Sequence, residues 1–376
     1  MGPPDSFASR MFSPEFLIMA ASLLVLMFFN FHMFARVAFP KPAPGPDRDL
    51  PVSVVICARN ESHTLKQLVP LMMEQDHREF ELVIVNDRSD DDTWEVLQWM
   101  KPQYPKLRIV NVSADEKFSY GKKIALGIGV RAAKYPNVLL TDADCVPTSK
   151  DWVSLMATGF RSGKQIVIGN SPYAAHNSFT NILERFDGAQ KSMQYMGFAL
   201  AGLPYMGVGR NLGYSSEIFF SAKGPRRHHH LMSGDDDLLI NELARAGNTA
   251  VIADPRAFMI TKATPDLVTW IRRKRRHYTT AQHYRFIHQV LLILFPLARV
   301  VFWAMCIILA IKGLWWELAI GLAVKLLVLL PINMIALHRL KAGVVAWLAL
   351  PLEWLFLLLD PMLYASTLLV KPKRWK

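Results

Sequence analysis

The chain has 376 residues, of which 52% are hydrophobic, and it carries a formal net charge of +12. This combination is unusual for a soluble globular protein and indicates a soluble region joined to membrane segments. The three cysteines, Cys57, Cys145 and Cys306, lack CxxC spacing, which excludes a disulfide framework and a zinc signature. We therefore expect the soluble region to occupy a reduced, cytoplasmic compartment.

The first predicted element is a membrane helix over residues 15–39, which follows an N-terminal tail at 1–14. Its core, FLIMAASLLVLMFF, carries no charge, and a spanning helix needs about 20 apolar residues. A cleaved signal peptide is the alternative, but no small-x-small cleavage site precedes the proline-rich linker at 40–50. The sequence therefore predicts a membrane anchor that is retained.

Residues 51–265 alternate between β-branched runs and helical patterns, which predicts one α/β domain with an open, mostly parallel sheet. The strands are predicted at 51–58, 80–87, 107–112 and 137–144. Ligands of such sheets bind at the carboxyl ends of the strands. Polar clusters follow three of these strands: Arg59-Asn60-Glu61, Asn86-Asp87 and Asp142-Ala143-Asp144.

The segment GVGRNLG, residues 207–213, invites comparison with a dinucleotide-binding fingerprint. Its spacing is G-x-G-x-x-x-G and it lies late in the domain. A true fingerprint occupies the first strand–helix turn, where this chain has ICARNES. The sequence therefore argues against a nicotinamide enzyme.

Asp142 and Asp144 flank a single residue at the end of an apolar strand. Alternate residues of an extended chain point the same way, so both carboxylates can face one ligand. A hard divalent cation, bound through one or two carboxylates and the phosphates of a substrate, fits this arrangement. A strand-ending turn capped by aspartate is the alternative.

Six segments in chain order, spread over about 50–280, resemble the family 2 glycosyltransferases, and in particular their membrane-attached members. The segments are VVICARNES, LVIVNDRSDDDT, GKKIALGIGV, LLTDADCVP, YMGVGRNLGYSSEIF and SGDDDLLINELARAG. The resemblance implies a GT-A fold, which is a Rossmann-like, mostly parallel nucleotide-sugar domain. It also implies a nucleotide-sugar donor and a divalent cation, Mn²⁺ or Mg²⁺, as the cofactor.

The resemblance also implies roles for individual residues. Asp144 would hold the metal ion with Asp142 nearby, and a lysine would place a positive charge beside the diphosphate. Glu61 and Asp87 would hold the uridine part of the donor. The donor-side residues are then Arg59, Glu61, Asp87, Lys122, Lys123 and Asp142, and the acceptor-side loop contains Gly207, Gly209, Arg210 and Asn211.

Three consecutive aspartates, Asp235, Asp236 and Asp237, precede a helical pattern. In the family an acidic pair begins a helix that ends in a glycine, here Gly247. Counting back from that glycine makes Asp236 the implied general base, Asp235 the preceding acidic position and Asp237 a helix cap. The alternative needs no catalysis, because anionic residues at a helix N-terminus are stabilised by the helix dipole.

The histidine triplet His228–His230 lies just before these aspartates. Consecutive histidines on an irregular segment do not share one face, and no matching histidine or cysteine ligands stand at a fixed spacing. We expect a loop that leads into the active site.

Residues 266–288 are predicted to form a basic helix at the membrane interface, where it can bind anionic lipid headgroups. Nucleic acid is the other use of such a run, but the adjoining membrane segments argue against it. In the family this region carries a Q-x-x-R-W motif that binds the donor diphosphate and the acceptor. Here Arg276 matches, whereas Arg273 and His277 replace the Gln and Trp, which argues against processive synthesis.

The C-terminal region, 289–376, contains two or three membrane segments. The stretches 289–311 and 314–337 are long enough to span, with Lys325 near the middle of the second. The stretch 343–370 contains two prolines and two acidic residues. It is flanked on both sides by basic residues that favour the cytoplasm, so we predict a broken or re-entrant helix.

Together these features predict an inverting, metal-dependent glycosyltransferase in a bacterial inner membrane. It would move a sugar from a UDP-sugar to a lipid or saccharide acceptor at the cytoplasmic face, in contact with membrane lipids and without nucleic acid. Two alternatives stay open. One is a processive polysaccharide synthase of the cellulose or hyaluronan type, and the other is a cation-binding membrane protein that is not an enzyme.

Overall fold

A computed structural model describes residues 13–42, 45–112, 122–221 and 236–369. Its largest sheet contains seven strands within these ranges, in the order β3-β2-β1-β4-β7-β6-β8. The strands are β1 (Val52–Ala58), β2 (Phe80–Asp87), β3 (Leu107–Val112), β4 (Asn137–Asp142), β5 (Cys145–Pro147), β6 (Ile166–Ile168), β7 (Leu212–Ser215), β8 (Thr249–Val251) and β9 (Met259–Thr261). Strands β5 and β9 form a separate antiparallel pair.

The first four strands of this sheet are parallel to one another, as predicted. β1 pairs with β2 and β4, and β2 pairs with β3, all in parallel. Only β7 runs against its neighbours, β4 and β6. The predicted α/β fold of the GT-A type is confirmed.

Helices cover both faces of the sheet and continue into the membrane region. They are α1 (Pro14–Ala38), α2 (Ser62–Met73), α3 (Thr93–Met100), α4 (Lys122–Ala132), α5 (Trp152–Ala157), α6 (Phe179–Leu200), α7 (Ser216–Ser221), α8 (Asp237–Leu243), α9 (Leu267–Tyr278), α10 (Phe286–Ile311), α11 (Trp315–Arg339) and α12 (Ala349–Leu369).

The alternation of side chains along β1 explains how the sheet is covered. Val54 and Ile56 pack with α2 and α3 on one face, while Val55 packs with α4 on the other. Helix α4 approaches very closely, because a Cβ added to Gly129 would lie 2.6 Å from Cγ1 of Val55. The small residues in GIGV therefore allow the helix to lie directly on the strand.

Four helical segments are long and apolar enough to cross a membrane: α1, α10, α11 and Gly343–Leu369. The last begins with a 3-10 turn, Gly343–Leu348, and continues as α12. One N-terminal and up to three C-terminal membrane segments were predicted, and this arrangement is confirmed.

Two predicted helices differ from the structure. The basic helix α9 ends at Tyr278 rather than at residue 288. The hydroxyls of Thr279 and Thr280 donate to carbonyls of its last turn, and a 3-10 turn separates it from α10. The segment over 343–369 is continuous rather than broken. Pro351 falls in the first turn of α12, where a missing N–H costs little, and the helix continues past Pro361 in its interior.

An aromatic cluster joins the soluble domain to the membrane helices. Phe29 of α1 lies 6.0 Å from Phe198 of α6 and 5.1 Å from Phe295 of α10, measured between ring centroids. Phe34 packs edge-on against Phe295 at 5.2 Å. The long helix α6 therefore lies on the membrane-facing side of the soluble domain.

Candidate active site

The carboxyl ends of three parallel strands lie side by side. Cys57 of β1 is in register with Val85 of β2 on one side and with Asp142 of β4 on the other. The polar segments that follow these strands therefore meet at one edge of the sheet. This is the edge at which such sheets bind ligands.

Two of these loops are tied to each other by backbone hydrogen bonds. The N–H of Asn60 donates to the Ser89 hydroxyl at 2.9 Å, and the N–H of Asp90 donates to Oδ1 of Asn60 at 2.7 Å. Asn60 and Arg88 both have positive φ, at 58° and 53°, a conformation that asparagine tolerates better than most residues. These bonds hold the Glu61 turn against the loop after β2.

Glu61 lies near the two aspartates that follow β4. Burial raises the pKa of Glu61, a hydrogen bond from the Thr64 hydroxyl opposes this change, and the negative charges of Asp144 and Asp142 raise it further. Three carboxylates therefore share a region of negative potential at the sheet edge.

The backbone at these aspartates differs from the extended chain that was predicted. Strand β4 ends at Asp142, and Ala143 and Asp144 form a turn. The N–H of Lys262 donates to the Asp144 carbonyl at 3.2 Å and holds this turn. Asp144 therefore belongs to a turn, and its position does not follow from the alternation of side chains along a strand.

These residues fit a divalent cation that is bound together with a diphosphate. Among the described residues, no group of three or more His, Cys, Asp or Glu side chains is arranged to hold a metal ion by itself. Mg²⁺ and similar ions are usually held by one or two carboxylates and by substrate phosphates. Asp142 and Asp144 supply such carboxylates, and their charge next to Glu61 favours a cation.

The remaining residues that were predicted for the donor side lie around the same edge. Asp87 is nearly buried, and its Oδ1 accepts from Nε of Arg88 at 2.8 Å. Arg59 is half exposed and lies 3.8 Å from Asp90. Lys122 and Lys123 begin α4, and the side chain of Lys122 lies outside the described part of the structure.

The loop before β7 brings a glycine into contact with the predicted base. A Cβ added to Gly209 would lie 2.5 Å from Cγ of Asp236. At Gly207 it would lie 2.7 Å from Cδ1 of Leu212, so that glycine serves packing. Of these two glycines, Gly209 is therefore the one that touches a candidate site residue.

Asn211 supports this loop from the core. Its side chain is completely buried, and its Oδ1 accepts from Nε1 of Trp152 at 3.0 Å. Its Nδ2 donates to the carbonyls of Asn170 and Ala257 at 2.7 and 2.8 Å. Every polar atom of this side chain is therefore used within the core, and Asn211 supports the predicted acceptor-side loop from there.

Asp236 and Asp237 point toward different surroundings. Asp237 begins α8, where its Oδ1 accepts from the N–H of Leu238 at 3.0 Å and its Oδ2 accepts from the Tyr284 hydroxyl at 2.7 Å. Asp236 touches Gly209 and lies close enough to raise the pKa of the buried Tyr214, although burial is the larger cause. Asp236 therefore faces the strand ends, whereas Asp237 joins α8 to the segment before α10.

Several residues near this pair lie elsewhere than predicted or outside the description. Helix α8 ends at Leu243, four residues before Gly247. Its end is closed by Asn248, whose Oδ1 accepts from the N–H of Arg245 at 2.8 Å. Asp235 and the triplet His228–His230 lie outside the described residues.

Two arginines stack on one tyrosine next to the acidic edge. The guanidinium carbons of Arg210 and Arg273 lie 4.6 and 4.8 Å from the ring centre of Tyr173. Burial disfavours the charge of Arg210, but Tyr173, Cys145 and Asp142 favour the cation, and the pKa of Arg210 is raised. Tyr173 was not singled out in the sequence, because no motif surrounds it.

His277 lies close to this pair of arginines and to two further cations, Lys191 and Arg276. Its ring keeps contact with solvent, yet protein surrounds it deeply enough to lower its pKa. The charges of Lys191, Arg276, Arg273 and Arg210 lower that pKa further. The region around His277 therefore favours an anionic group.

Helix α6 supplies acidic partners for the basic helix. The carboxylate of Glu184 accepts from the N–H and the hydroxyl of Thr264, both at 2.9 Å, and also binds Arg273. Asp187 binds Lys191 at 3.1 Å and Lys274 at 2.6 Å. The sequence signal was the spacing of 184, 187 and 191, which places the three charges on one face of a helix.

These pairs change the interpretation of the basic run. Lys274 is almost completely buried between Asp187 and Asp360, at 2.6 and 2.8 Å. Nη2 of Arg275 donates to the Ser366 carbonyl at 2.9 Å. The side chains of Lys274 and Arg275 therefore bind protein groups, whereas the contact with lipid headgroups stays a prediction for the run.

The comparison with known families agrees with this site. Residues 53–219 match the family model described as glycosyl transferase family 2. This segment, somewhat less than half of the chain, is similar to that family. The match includes the turn with Glu61, the Asp142–Asp144 segment and the Gly209 loop, whereas Asp236 lies beyond it.

One curated relative matches the chain over a short region. A poly-β-1,6-N-acetyl-D-glucosamine synthase of Staphylococcus epidermidis is 30% identical over 95 residues. This match covers 25% of the chain and 22% of that synthase. The chain therefore spans less than a quarter of this relative's length.

A solved structure shows a similar fold over nearly the whole chain. It is a mannosyltransferase from Pyrobaculum calidifontis in complex with GDP-Man and Mn²⁺, with a TM-score of 0.54 and 19% identity. The match covers 89% of this chain and 97% of that one. At this identity the similarity concerns the fold alone.

Proposed function

We propose that this family 2 glycosyltransferase moves one sugar from a UDP-sugar to a hydroxyl of a membrane-bound acceptor, with inversion at the anomeric carbon. One observation carries the proposal. The dipeptide Gly209-Arg210 touches Asp236 through its glycine and approaches Asp142 with its guanidinium. A carboxylate suited to take a proton and a charged region suited to a diphosphate therefore lie on either side of one loop.

The donor side rests on the edge of the sheet. Glu61 and Asp87 are assigned to the nucleoside, and Asp142 and Asp144 are assigned to a divalent cation beside the diphosphate. When bound, the cation would neutralise charge that develops on the leaving diphosphate. Arg210 and Arg273, held together by Tyr173, add fixed positive charge on the other side.

Asp236 is assigned as the general base. As the acceptor oxygen forms a bond to the anomeric carbon, its proton passes to the Asp236 carboxylate. The bond between that carbon and the diphosphate oxygen breaks, and its electron pair leaves with the nucleoside diphosphate. Attack from the face opposite the leaving group inverts the anomeric centre.

The acceptor is assigned to the membrane because the cations around His277 lie next to the membrane helices. His277 and Arg276 belong to α9, which packs against the C-terminal helix α12. A lipid, lipid-linked or saccharide acceptor at the cytoplasmic face of a bacterial inner membrane fits this location. The cations around His277 favour an acceptor that carries a phosphate near its hydroxyl.

A second candidate, a processive polysaccharide synthase, is favoured by the 95-residue similarity to the N-acetylglucosamine polymer synthase. The basic helix argues against it, because Arg273 and His277 stand where the family's processive members have Gln and Trp. The length of the product distinguishes the two candidates. One sugar per acceptor supports single transfer, and a ladder of products supports synthesis of a polymer.

The decisive experiment measures nucleotide release by the detergent-purified protein with membrane lipid extract and Mn²⁺ or Mg²⁺. The donor panel includes UDP-glucose, UDP-N-acetylglucosamine, UDP-galactose and GDP-mannose. Asp236→Asn is expected to lower kcat at least about 100-fold, since a positioned base contributes about 10²–10⁴-fold. Asp237→Asn is the matched control, with the same change of charge one residue away.

The outcomes separate the hypotheses. Release that depends on one donor and is lost in Asp236→Asn supports the proposal. If nucleotide release is lost in Asp237→Asn alone, the general base is Asp237 rather than Asp236. If no donor is hydrolysed or transferred, and UDP does not bind, the enzymatic proposal fails and cation binding without catalysis becomes the better hypothesis.

A further inference from the structure

We propose that helix α12 does not cross the membrane, although it is long and apolar enough to do so. It lies instead at the membrane interface, between the soluble domain and a three-helix bundle of α1, α10 and α11. One face of α12 would then contact lipid at the boundary between headgroups and acyl chains. This inference concerns topology and does not depend on the proposed transferase activity.

The soluble domain contacts this segment from its beginning nearly to its end. Nη2 of Arg185 donates to the carbonyl of Ala342 at 2.6 Å, just before the 3-10 turn. Farther along, the ring of Phe356 lies 5.3 Å from Phe186 of α6 and 6.2 Å from Trp270 of α9. Both partners belong to the soluble part of the protein.

The same pattern continues along the second half of α12. Asp360 binds Nζ of Lys274 at 2.8 Å and accepts from the Tyr278 hydroxyl at 2.9 Å. The rings of Tyr278 and Tyr364 lie 6.0 Å apart. Together with the bond from Arg275 to the Ser366 carbonyl, these contacts show that α9 and α12 run side by side in the same direction.

The length of this contact decides the orientation. From Phe356 to Ser366, the part of α12 that contacts α9 rises by about 15 Å, at about 1.5 Å per residue. The hydrocarbon core of a bilayer is about 30 Å thick. If α12 crossed it, the basic helix α9 with Arg272 to Arg276 would have to lie in hydrocarbon as well, where cationic side chains are strongly disfavoured.

The other membrane helices behave differently. Helix α10 contacts the soluble domain near its start, where Nδ1 of His288 lies 3.0 Å from Nδ2 of Asn241. Past its other end, Lys312 pairs with Glu15 at the start of α1. Contact with the soluble domain at one end only is what a crossing helix requires.

A second face of α12 rests on the bundle. Glu353 binds Nζ of Lys325 in α11 at 2.8 Å and Nε of Arg299 in α10 at 3.3 Å. Trp354 packs against Trp303 of α10 with 4.3 Å between ring centres and an angle of 42° between the ring planes. Helix α12 therefore contacts the soluble domain with one face and the helical bundle with another.

The third face is apolar and exposed, and its chemistry fits lipid. Leu355, Leu358, Met362 and Leu369 recur at intervals of three, four and seven residues, so they lie along one stripe of the helix. Their exposed fractions range from 37% to 85%. The two charged residues of α12, Glu353 and Asp360, are both paired with cations of neighbouring helices, so neither interrupts this apolar stripe.

The first test compares the sides of the membrane on which single added cysteines react. Gln103→Cys marks the exposed surface of the soluble domain, Lys312→Cys marks the far end of α10, and Leu369→Cys marks the end of α12. Labelling uses a membrane-impermeant maleimide on intact and permeabilised cells, with the parent protein as background for its own three cysteines. We expect Leu369→Cys to react together with Gln103→Cys, and reaction together with Lys312→Cys would overturn the proposal.

The second test measures depth in vesicles by spin labels at Leu355, Leu358 and Met362, one at a time. The readout is the relative collision rate with oxygen and with a water-soluble nickel chelate. A crossing helix would change depth by about 10 Å over these seven residues, whereas a helix in the interface gives one shallow depth for all three. A graded depth contradicts the proposal even if one cysteine variant fails to fold, and neither test needs a sugar donor.

Discussion

Gly209 and Asp236 are in direct contact across the candidate site. A Cβ on Gly209 would lie 2.5 Å from Cγ of Asp236, much closer than two carbon atoms can approach without bonding. The carboxylate therefore occupies space that only a glycine leaves open. This contact joins the loop before β7 to the first residues of α8.

We predict that Gly209→Ala lowers kcat at least about 100-fold, because the added methyl group displaces the proposed base from its position. The Tm should change little, since the clash is with the mobile end of one side chain. Measurement of nucleotide release and thermal unfolding checks both statements. Gly127→Ala is the control, because a Cβ there meets no atom within 4 Å, and equal activity of the two variants would contradict the prediction.

A pair of tyrosine variants tests the different surroundings of the two aspartates. Tyr284→Phe removes the 2.7 Å hydrogen bond to Asp237 and should lower the free energy of unfolding by about 1.5–3 kcal/mol. Tyr214→Phe should change it by less than about 0.5 kcal/mol, since its buried hydroxyl has no hydrogen-bond partner among the described residues. Denaturant unfolding in detergent measures both, and the reverse order of the two effects would refute the assignment.

The raised pKa of Glu61 predicts a pH-dependent effect on stability. Because its folded pKa lies above the unfolded value, the folding contribution of Glu61 is complete below the unfolded pKa and is lost as the pH rises through the folded pKa. Glu61→Gln should therefore raise the Tm of the metal-free and nucleotide-free protein by roughly 2 °C at pH 7.5, and by less at pH 4.5. The exposed Glu95→Gln serves as the control, and an equal gain at both pH values would count against the shift.

Removal of metal tests the assignment of the aspartate turn. Excess EDTA should abolish nucleotide release, and Mn²⁺ should restore it. Asp144→Asn should raise the Mn²⁺ concentration needed for half-maximal activity by about 10-fold or more, which corresponds to about 1.4 kcal/mol of lost binding free energy. Unchanged metal dependence in this variant, with normal folding, would exclude Asp144 as a ligand.

The buried ion pair between α11 and α12 predicts a large loss of stability. Glu353→Gln leaves the cations of Lys325 and Arg299 without a carboxylate in an apolar environment, which should cost about 3 kcal/mol or more. The double variant Lys325→Met with Glu353→Gln should lose less than the sum of the two single changes, because it removes one unpaired charge. Additive losses in thermal unfolding would show that the two side chains do not depend on each other.

Much of the sheet could be predicted because its information is local. The run Val52–Ala58 alternates its side chains between two apolar layers, and the polar turn after it marks the carboxyl end of the strand. The same reasoning located Asp87 and Asp142. It was wrong about the backbone at Asp144, because the bond from Lys262 that holds the turn comes from a distant segment.

Other site residues left little or no signal in the sequence. Tyr173 has no motif around it, and its two arginine partners come from positions 37 and 100 residues later. The spacing of Glu184, Asp187 and Lys191 is compatible with a charged helix face, but it does not reveal that the partners of these residues include cations of α9. Asn211 resembles a ligand-binding residue in its glycine-rich loop, and only the tertiary structure shows that its side chain supports this loop from the core.

The sequence by itself determined the alternating strands and helices, the acidic strand ends and the apolar helices, because these follow from the periodicity of neighbouring side chains. Only the tertiary structure decided that Asp236 meets Gly209 while Asp237 meets Tyr284, since a shift of one residue turns a side chain at the start of a helix by about 100°. It also decided that Asp360 pairs with Lys274, which composition could not reveal. Contacts between segments far apart in the chain therefore set both the geometry of the site and the position of α12.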